Sequence, residues 1–203
     1  MKPVTVSQMY EVWDVTKSEV RAELSRSLTP RPSSSLFDVV EAVGPPRDAT
    51  VLDIGARDAR HSVTLHERFG WHVVAVDPLA GNIKTAQEFV RTSGHGDTIE
   101  VRQGSIEAIP SADERFELVF CRDVISHVRN IASAFSESER VTRPGGTMIV
   151  YQTFATDLLE PEEKARICSD LAVNPGSLER ARFETEALAA GFEIKKVDVI
   201  GSE

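Results

Sequence analysis

Along the first part of the chain, Val6, Met9, Tyr10, Trp13, Val20, Leu24 and Leu28 recur at spacings of three, four and seven. That period predicts an amphipathic helix over roughly residues 7–27. Thr29-Pro-Arg-Pro32 breaks it, and residues 33–35, all serine, can cap a short helix through Val43 that Gly44-Pro-Pro46 ends. From Thr50 the pattern changes to continuous β-branched runs, Val51-Leu-Asp-Ile54 and Val73-Val-Ala-Val76, which suit strands covered on both faces. Helical periods at 60–69 and 80–91 alternate with them, the first stopped by Gly70. Further strands are predicted at 98–102, 116–120 and 147–152, the last after the turn Arg143-Pro-Gly-Gly146, with a helix at 130–141 between the second and third of them. A helix at 183–190, a cap at Gly191 and a strand at 192–200 close the pattern. Strands alternating with helices build an α/β fold, a doubly wound, mostly parallel sheet with helices on both faces, here preceded by an N-terminal helical segment.

A length of 203 residues suits one domain, 1–203. Within it, 1–44 form the N-terminal helical segment, 50–154 the core, and 155–182 an insertion after the fifth strand. A hydrophobic share of 41% with 27% charged residues is that of an ordinary globular chain, and no apolar run approaches the roughly 20 residues of a membrane span. The first residues lack the apolar stretch of a secretory signal, and Cys121 and Cys168 form no metal or redox spacing, so reduced thiols in a cytoplasm are expected. A net charge of −9 repels polyanions and favours a small-molecule partner over nucleic acid or membrane. His61, His66, His72, His95 and His127 include no pair at helical spacing, and no metal site is expected.

The candidate chemistry centres on Val51-Leu-Asp-Ile-Gly-Ala-Arg-Asp-Ala-Arg60, a buried strand ending in a glycine turn that opens a helix. Ligands in open α/β sheets bind at that carboxyl end. Twenty-two residues after Gly55 the second strand ends in Asp77-Pro78, where a carboxylate can accept both ribose hydroxyls; the same dipeptide is also a helix N-terminal signal. This arrangement resembles motif I and the following acidic motif of the class I S-adenosylmethionine-dependent methyltransferases, with their Rossmann-like sheet. Asp53, Gly55 and Ala56 fall in the motif, while Arg57 and Ala59 stand where the family usually has glycines. Loss of those glycines weighs more against a dinucleotide, whose pyrophosphate needs close backbone approach, than against S-adenosylmethionine, which carries no phosphate. By the resemblance Arg57 lies beside the methionine end of the cofactor; a side chain pointing to solvent is the alternative.

Two further stretches are similar to the same family: Gln103-Gly-Ser-Ile-Glu-Ala-Ile-Pro110 with the strand through Phe120, and Arg140-Val-Thr-Arg-Pro-Gly-Gly-Thr147. The resemblance implies that Ser105 replaces the usual acid toward the adenine amino group, that Ile106 covers the ring, and that Cys121 closes the cofactor site at the end of strand four. It also implies that 155–182 roofs the acceptor pocket, against the alternative of a solvated helical linker. A seventh, antiparallel strand belongs to the family pattern, so the natural chain is expected to continue past Glu203.

Cys121-Arg-Asp-Val-Ile-Ser-His127 resembles the Arg-Asp-x-x-x-His stretch of the phosphoethanolamine methyltransferases. If a helical turn forms there, Asp123 and His127 stack on one face toward the pocket. By that resemblance Asp123 orients a cationic or hydroxyl acceptor, His127 takes or relays a proton, and Tyr10 is the candidate for an N-terminal tyrosine that works with it. A cap for Asp123, a pocket wall for His127 and a core position for Tyr10 and Trp13 are the competing roles. The expected function is methyl transfer to a small-molecule acceptor, the alternative a non-catalytic binding or regulatory domain on the same fold.

Overall fold

The structure is a computed structural model that describes residues 35–199 together with Thr5, Ser7 and Gln8. The helix expected at 7–27, with Tyr10 and Trp13, lies outside the described residues. The described chain opens with α1 (Ser35–Val43), which buries Leu36, Phe37 and Val40 and ends at Gly44, φ 64°. It continues through β1 (Thr50–Ile54), α2 (Arg60–Phe69), β2 (His72–Asp77), α3 (Ala80–Thr92), β3 (Ile99–Gln103) and β4 (Phe116–Arg122). A one-turn 3₁₀ helix (Ile125–His127), α4 (Ile131–Val141), β5 (Thr142–Tyr151), α5 (Pro161–Asp170), a second 3₁₀ turn (Pro175–Leu178) and α6 (Arg180–Ala189) follow.

The five strands pair in the order β3-β2-β1-β4-β5, all parallel. Alternation along the strands splits the apolar core in two. Val51, Val73, Leu118 and Phe120 face α1, α2 and α3, with Val40, Leu65 and Val90. Leu52, Ile54, Val74 and Val119 face α4 and α6, with Ile131, Phe135 and Ala187. The chain turns outward from β1 in two directions, to β2 and β3 on one side and to β4 and β5 on the other, so the crevice between the β1 and β4 ends is the switch point where such sheets bind ligands.

Most expected boundaries hold to within three residues, with two corrections. The turn at Arg143-Pro-Gly-Gly146 lies inside β5: the ladder pairs Phe116 with Thr142, the chain then bulges through Gly145 (φ 79°), and pairing resumes at Leu118 with Thr147. The strand expected at 192–200 is not formed over the described residues 192–199, which are mostly exposed and join no strand of the described sheet. A strand needs a ladder partner for its backbone groups, and among the described residues β5 pairs only with β4.

Candidate active site

The loop after β1 fixes the floor of the site. Gly55 takes φ 75°, and a Cβ there would overlap the Val124 side chain, so only glycine fits. Gly55 and Ala56 both donate their backbone N–H to the Val76 carbonyl, at 2.7 and 3.0 Å. Arg57 and Ala59 have φ of 53° and 59°: the left-handed backbone of the missing glycines is kept by residues that pay for it in strain. Asp53, 2% exposed, accepts a 2.6 Å hydrogen bond from the Ser62 hydroxyl, and burial pushes its pKa from 3.8 to about 6.

A cavity of about 280 Å³ opens above this floor. On the β2 and β3 side it is lined by Asp77, Pro78, Leu79, Ser105, Ile106 and Glu107. Asp77 is 4% exposed and already accepts three hydrogen bonds: from Arg57 N at 3.0 Å, Leu79 N at 2.9 Å and Asn82 Nδ2 at 2.9 Å. A carboxylate offers about four acceptor positions, so one stays open on Oδ2. The carboxylate thus shapes the turn into α3 and presents an acceptor to the cavity at once. The loop with Ser105 and Ile106 is held from behind by Arg140, which donates to the Ile109 and Ser111 carbonyls and to Asp113, while Glu137 accepts from Ile109 N.

The β4 side of the cavity is lined by Arg122, Asp123, Val124, His127 and Val128. Asp123 and His127 meet here by a route other than the expected helical stacking. Asp123 stands before the 3₁₀ turn at φ 56°, with its N–H on the Tyr151 carbonyl at 2.8 Å, and the tight turn then carries His127 back to the same cavity. Three residues per turn, rather than 3.6, is the reason the i, i+4 rule does not apply. Asp123 is open to the cavity, yet the protein around it raises its carboxyl pKa, against lowering by His127, Arg122 and a Ser126 hydrogen bond.

His127 Nδ1 lies 3.2 Å from the Ala172 carbonyl oxygen. A carbonyl only accepts, so Nδ1 carries a proton, and whenever the ring is neutral Nε2 is its acceptor. Ala172 belongs to the segment between α5 and the second 3₁₀ turn. Asn174 docks that segment on the first 3₁₀ turn: its N–H donates to the Ser126 carbonyl at 2.8 Å and its Nδ2 to the Val128 carbonyl at 2.7 Å, while the Ser177 hydroxyl reaches Ser126 at 3.0 Å.

Of the residues singled out in the sequence, Gly55, Asp77, Pro78, Ser105, Ile106, Asp123 and His127 line this cavity. Asp53, Ala56 and Arg57 support it from below, Arg57 through its backbone. Cys121 does not line it: strand alternation points its side chain into the core, 1% exposed, where burial raises the thiol to about 12. Arg122, Glu107 and Val124 are lining residues that the sequence reading passed over. Arg122 and Val124 sit inside the quoted 121–127 stretch, and strand alternation past Cys121 was the signal for Arg122. Among the described residues no three His, Cys, Asp or Glu converge on a metal position, and no helix is long and apolar enough to cross a membrane.

Comparison with known proteins places this geometry. Residues 52–150 match the methyltransferase domain family, from the buried half of β1 to the end of β5. The chain is 30% identical to a ubiquinone biosynthesis O-methyltransferase of Azorhizobium caulinodans over 165 residues, 75% of this chain and 62% of that protein. It is 26% identical to a sterol 24-C-methyltransferase of Gibberella zeae, over 71% of this chain and 39% of that protein. The chain therefore spans less than two thirds of either relative. Phosphoethanolamine N-methyltransferase 2 of Haemonchus contortus, solved with S-adenosyl-L-methionine, superposes with a TM-score of 0.70 at 18% identity, over 93% of this chain and 42% of that one. The five-stranded sheet, the glycine turn and the matched segment are one unit, and through residues 52–150 this chain matches the methyltransferase domain family.

Proposed function

We propose that the chain is an S-adenosylmethionine-dependent methyltransferase that acts on a small-molecule acceptor. The observation that carries this is the pairing, in one cavity, of a buried carboxylate at the β2 end with a tautomer-fixed histidine at the β4 end. The residues fit the cofactor: Asp77 keeps one acceptor position toward a ribose hydroxyl, Ile106 offers an apolar face, 3% exposed, and Ser105 offers a hydroxyl. When bound, S-adenosylmethionine supplies an electrophilic methyl on a sulfonium centre.

The chain's own residues do the rest. Asp123 accepts from a cationic or hydroxyl acceptor, Val124 and Val128 exclude water, and His127 takes the acceptor proton at Nε2. Tyr10, from outside the described residues, is proposed to assist His127. The named relatives methylate oxygen, carbon and nitrogen acceptors, so the acceptor atom is set by the cavity and not by the family. The segment 155–182 is proposed as the acceptor wall, since it supplies the carbonyl that orients His127. Two free thiols suit a cytoplasmic setting.

Titration calorimetry with S-adenosylmethionine, S-adenosylhomocysteine and NAD tests the cofactor. The two adenosyl ligands should bind and NAD should not; the reverse order would refute the reading. His127→Ala should keep cofactor affinity and lose about 10²- to 10⁴-fold in turnover, the range of a positioned general base. Turnover within about threefold of the parent, far below that range, would return His127 to the pocket wall.

A further inference from the structure

Arg122 ends β4 and is half-buried beside the cavity. Its Nη1 lies 2.9 Å from His61 Nε2, and its guanidinium carbon is 6.0 Å from the Tyr151 ring centroid. A guanidinium only donates, so Nε2 accepts, and His61 holds its proton on Nδ1. Burial first, and the positive charge of Arg122 second, lower the His61 pKa to about 4, so the ring stays neutral as a prop. Phe37 and Phe120 hold that ring, at centroid distances of 5.9 and 6.4 Å. Among the described residues no carboxylate pairs with Arg122. A cation with five N–H donors, one of them used, is therefore fixed against a cavity wall.

The order of strands gives that cation a partner. Ser105 and Ile106 follow β3, Asp77 ends β2, Gly55 follows β1 and Arg122 ends β4. Pairing aligns Ile54 with both Val76 and Cys121, so Asp77, Gly55 and Arg122 share one level across three neighbouring strands. At about 4.8 Å per strand, the span from the β3 end to the β4 end is roughly 14 Å. A ligand with its base at Ser105 and its ribose at Asp77 has to run its remaining end toward β4.

We propose that Arg122 binds the carboxylate of the cofactor's amino-acid end, and that His61 is the positioning residue that aims it. This rests on the proposed S-adenosylmethionine reading. It moves to Arg122 the role that the sequence resemblance gave to Arg57, whose backbone serves Asp77 instead.

The test compares S-adenosylhomocysteine with 5′-methylthioadenosine, which lacks the amino-acid end, by calorimetry on the full chain. The parent should prefer S-adenosylhomocysteine, and Arg122→Met, which keeps the apolar stem, should lose on the order of 10- to 100-fold for that ligand while its affinity for methylthioadenosine stays level. His61→Gln, which retains an acceptor, should keep the preference, and His61→Leu should lose part of it. Equal loss for both ligands in Arg122→Met, or no loss for either, overturns the proposal; the second result with activity reduced would place Arg122 on the acceptor. Identical behaviour of the two His61 variants overturns the role of the prop. If the parent binds neither adenosyl ligand, the cofactor reading itself has failed, and the proposal with it.

Discussion

Asp53 is a carboxylate kept where water does not reach it. Its folded pKa of about 6 lies above the ordinary 3.8, so the folded chain holds the proton more tightly than the unfolded chain does. The cost of ionising it is absent below about 3.8, grows through the interval and is fully present above about 6. Asp53→Asn can still accept from Ser62 and should stabilise the chain by about 3 kcal/mol at pH 8, an advantage that shrinks toward pH 4. Urea melts at the two pH values check this, and a gain independent of pH would assign it to packing. Arg57 carries a different cost, its left-handed φ of 53°. Relief of about 1–2 kcal/mol of steric strain, against about 0.4–1 kcal/mol lost to the freer unfolded glycine, predicts a net gain of roughly 0.5–1 kcal/mol for Arg57→Gly in the same melts. A loss would show that the Arg57 side chain contributes more than its backbone costs.

At the scale of elements, the turn after β1 and the turn after β4 lock into each other, because Val124 fills the space where Gly55 has no side chain. Gly55→Ala meets both that overlap and a φ of 75°. The expected destabilisation is about 2–4 kcal/mol, the sum of left-handed strain and overpacking. Thermal melts should show it, and the companion Gly55→Ala, Val124→Ala should recover part of it; no recovery would mean that the Val124 contact is not the cause. The elements themselves were legible, since β1, β2 and α2 announce their period and their caps locally. Asp77 and Gly55 were legible for the same reason. The strand at 192–200 was not, because its composition is that of a strand and only a neighbour could make it one. His127 was legible as a residue, but its tautomer is set by a carbonyl 45 positions away, and Arg122 acquires its neutral prop from 61 positions away. No local pattern carries such information.

Across the whole molecule, the cavity has two owners. The β2 and β3 side belongs to the sheet, whereas the orientation of His127 belongs to the segment that Asn174 pins onto Ser126 and Val128. Asn174→Ala should therefore leave S-adenosylhomocysteine affinity unchanged and lower turnover by about 10- to 100-fold, as expected for a misplaced reacting group. A matching loss of cofactor affinity would indicate a general loosening instead. The Ala172 contact has a consequence for timing. With the carbonyl in place, one ring nitrogen is committed to it and the other can only accept; with the segment lifted away, the imidazole is released to either tautomer and either rotamer. Under the proposed reaction, proton acceptance by His127 therefore depends on this segment's being in place over the acceptor.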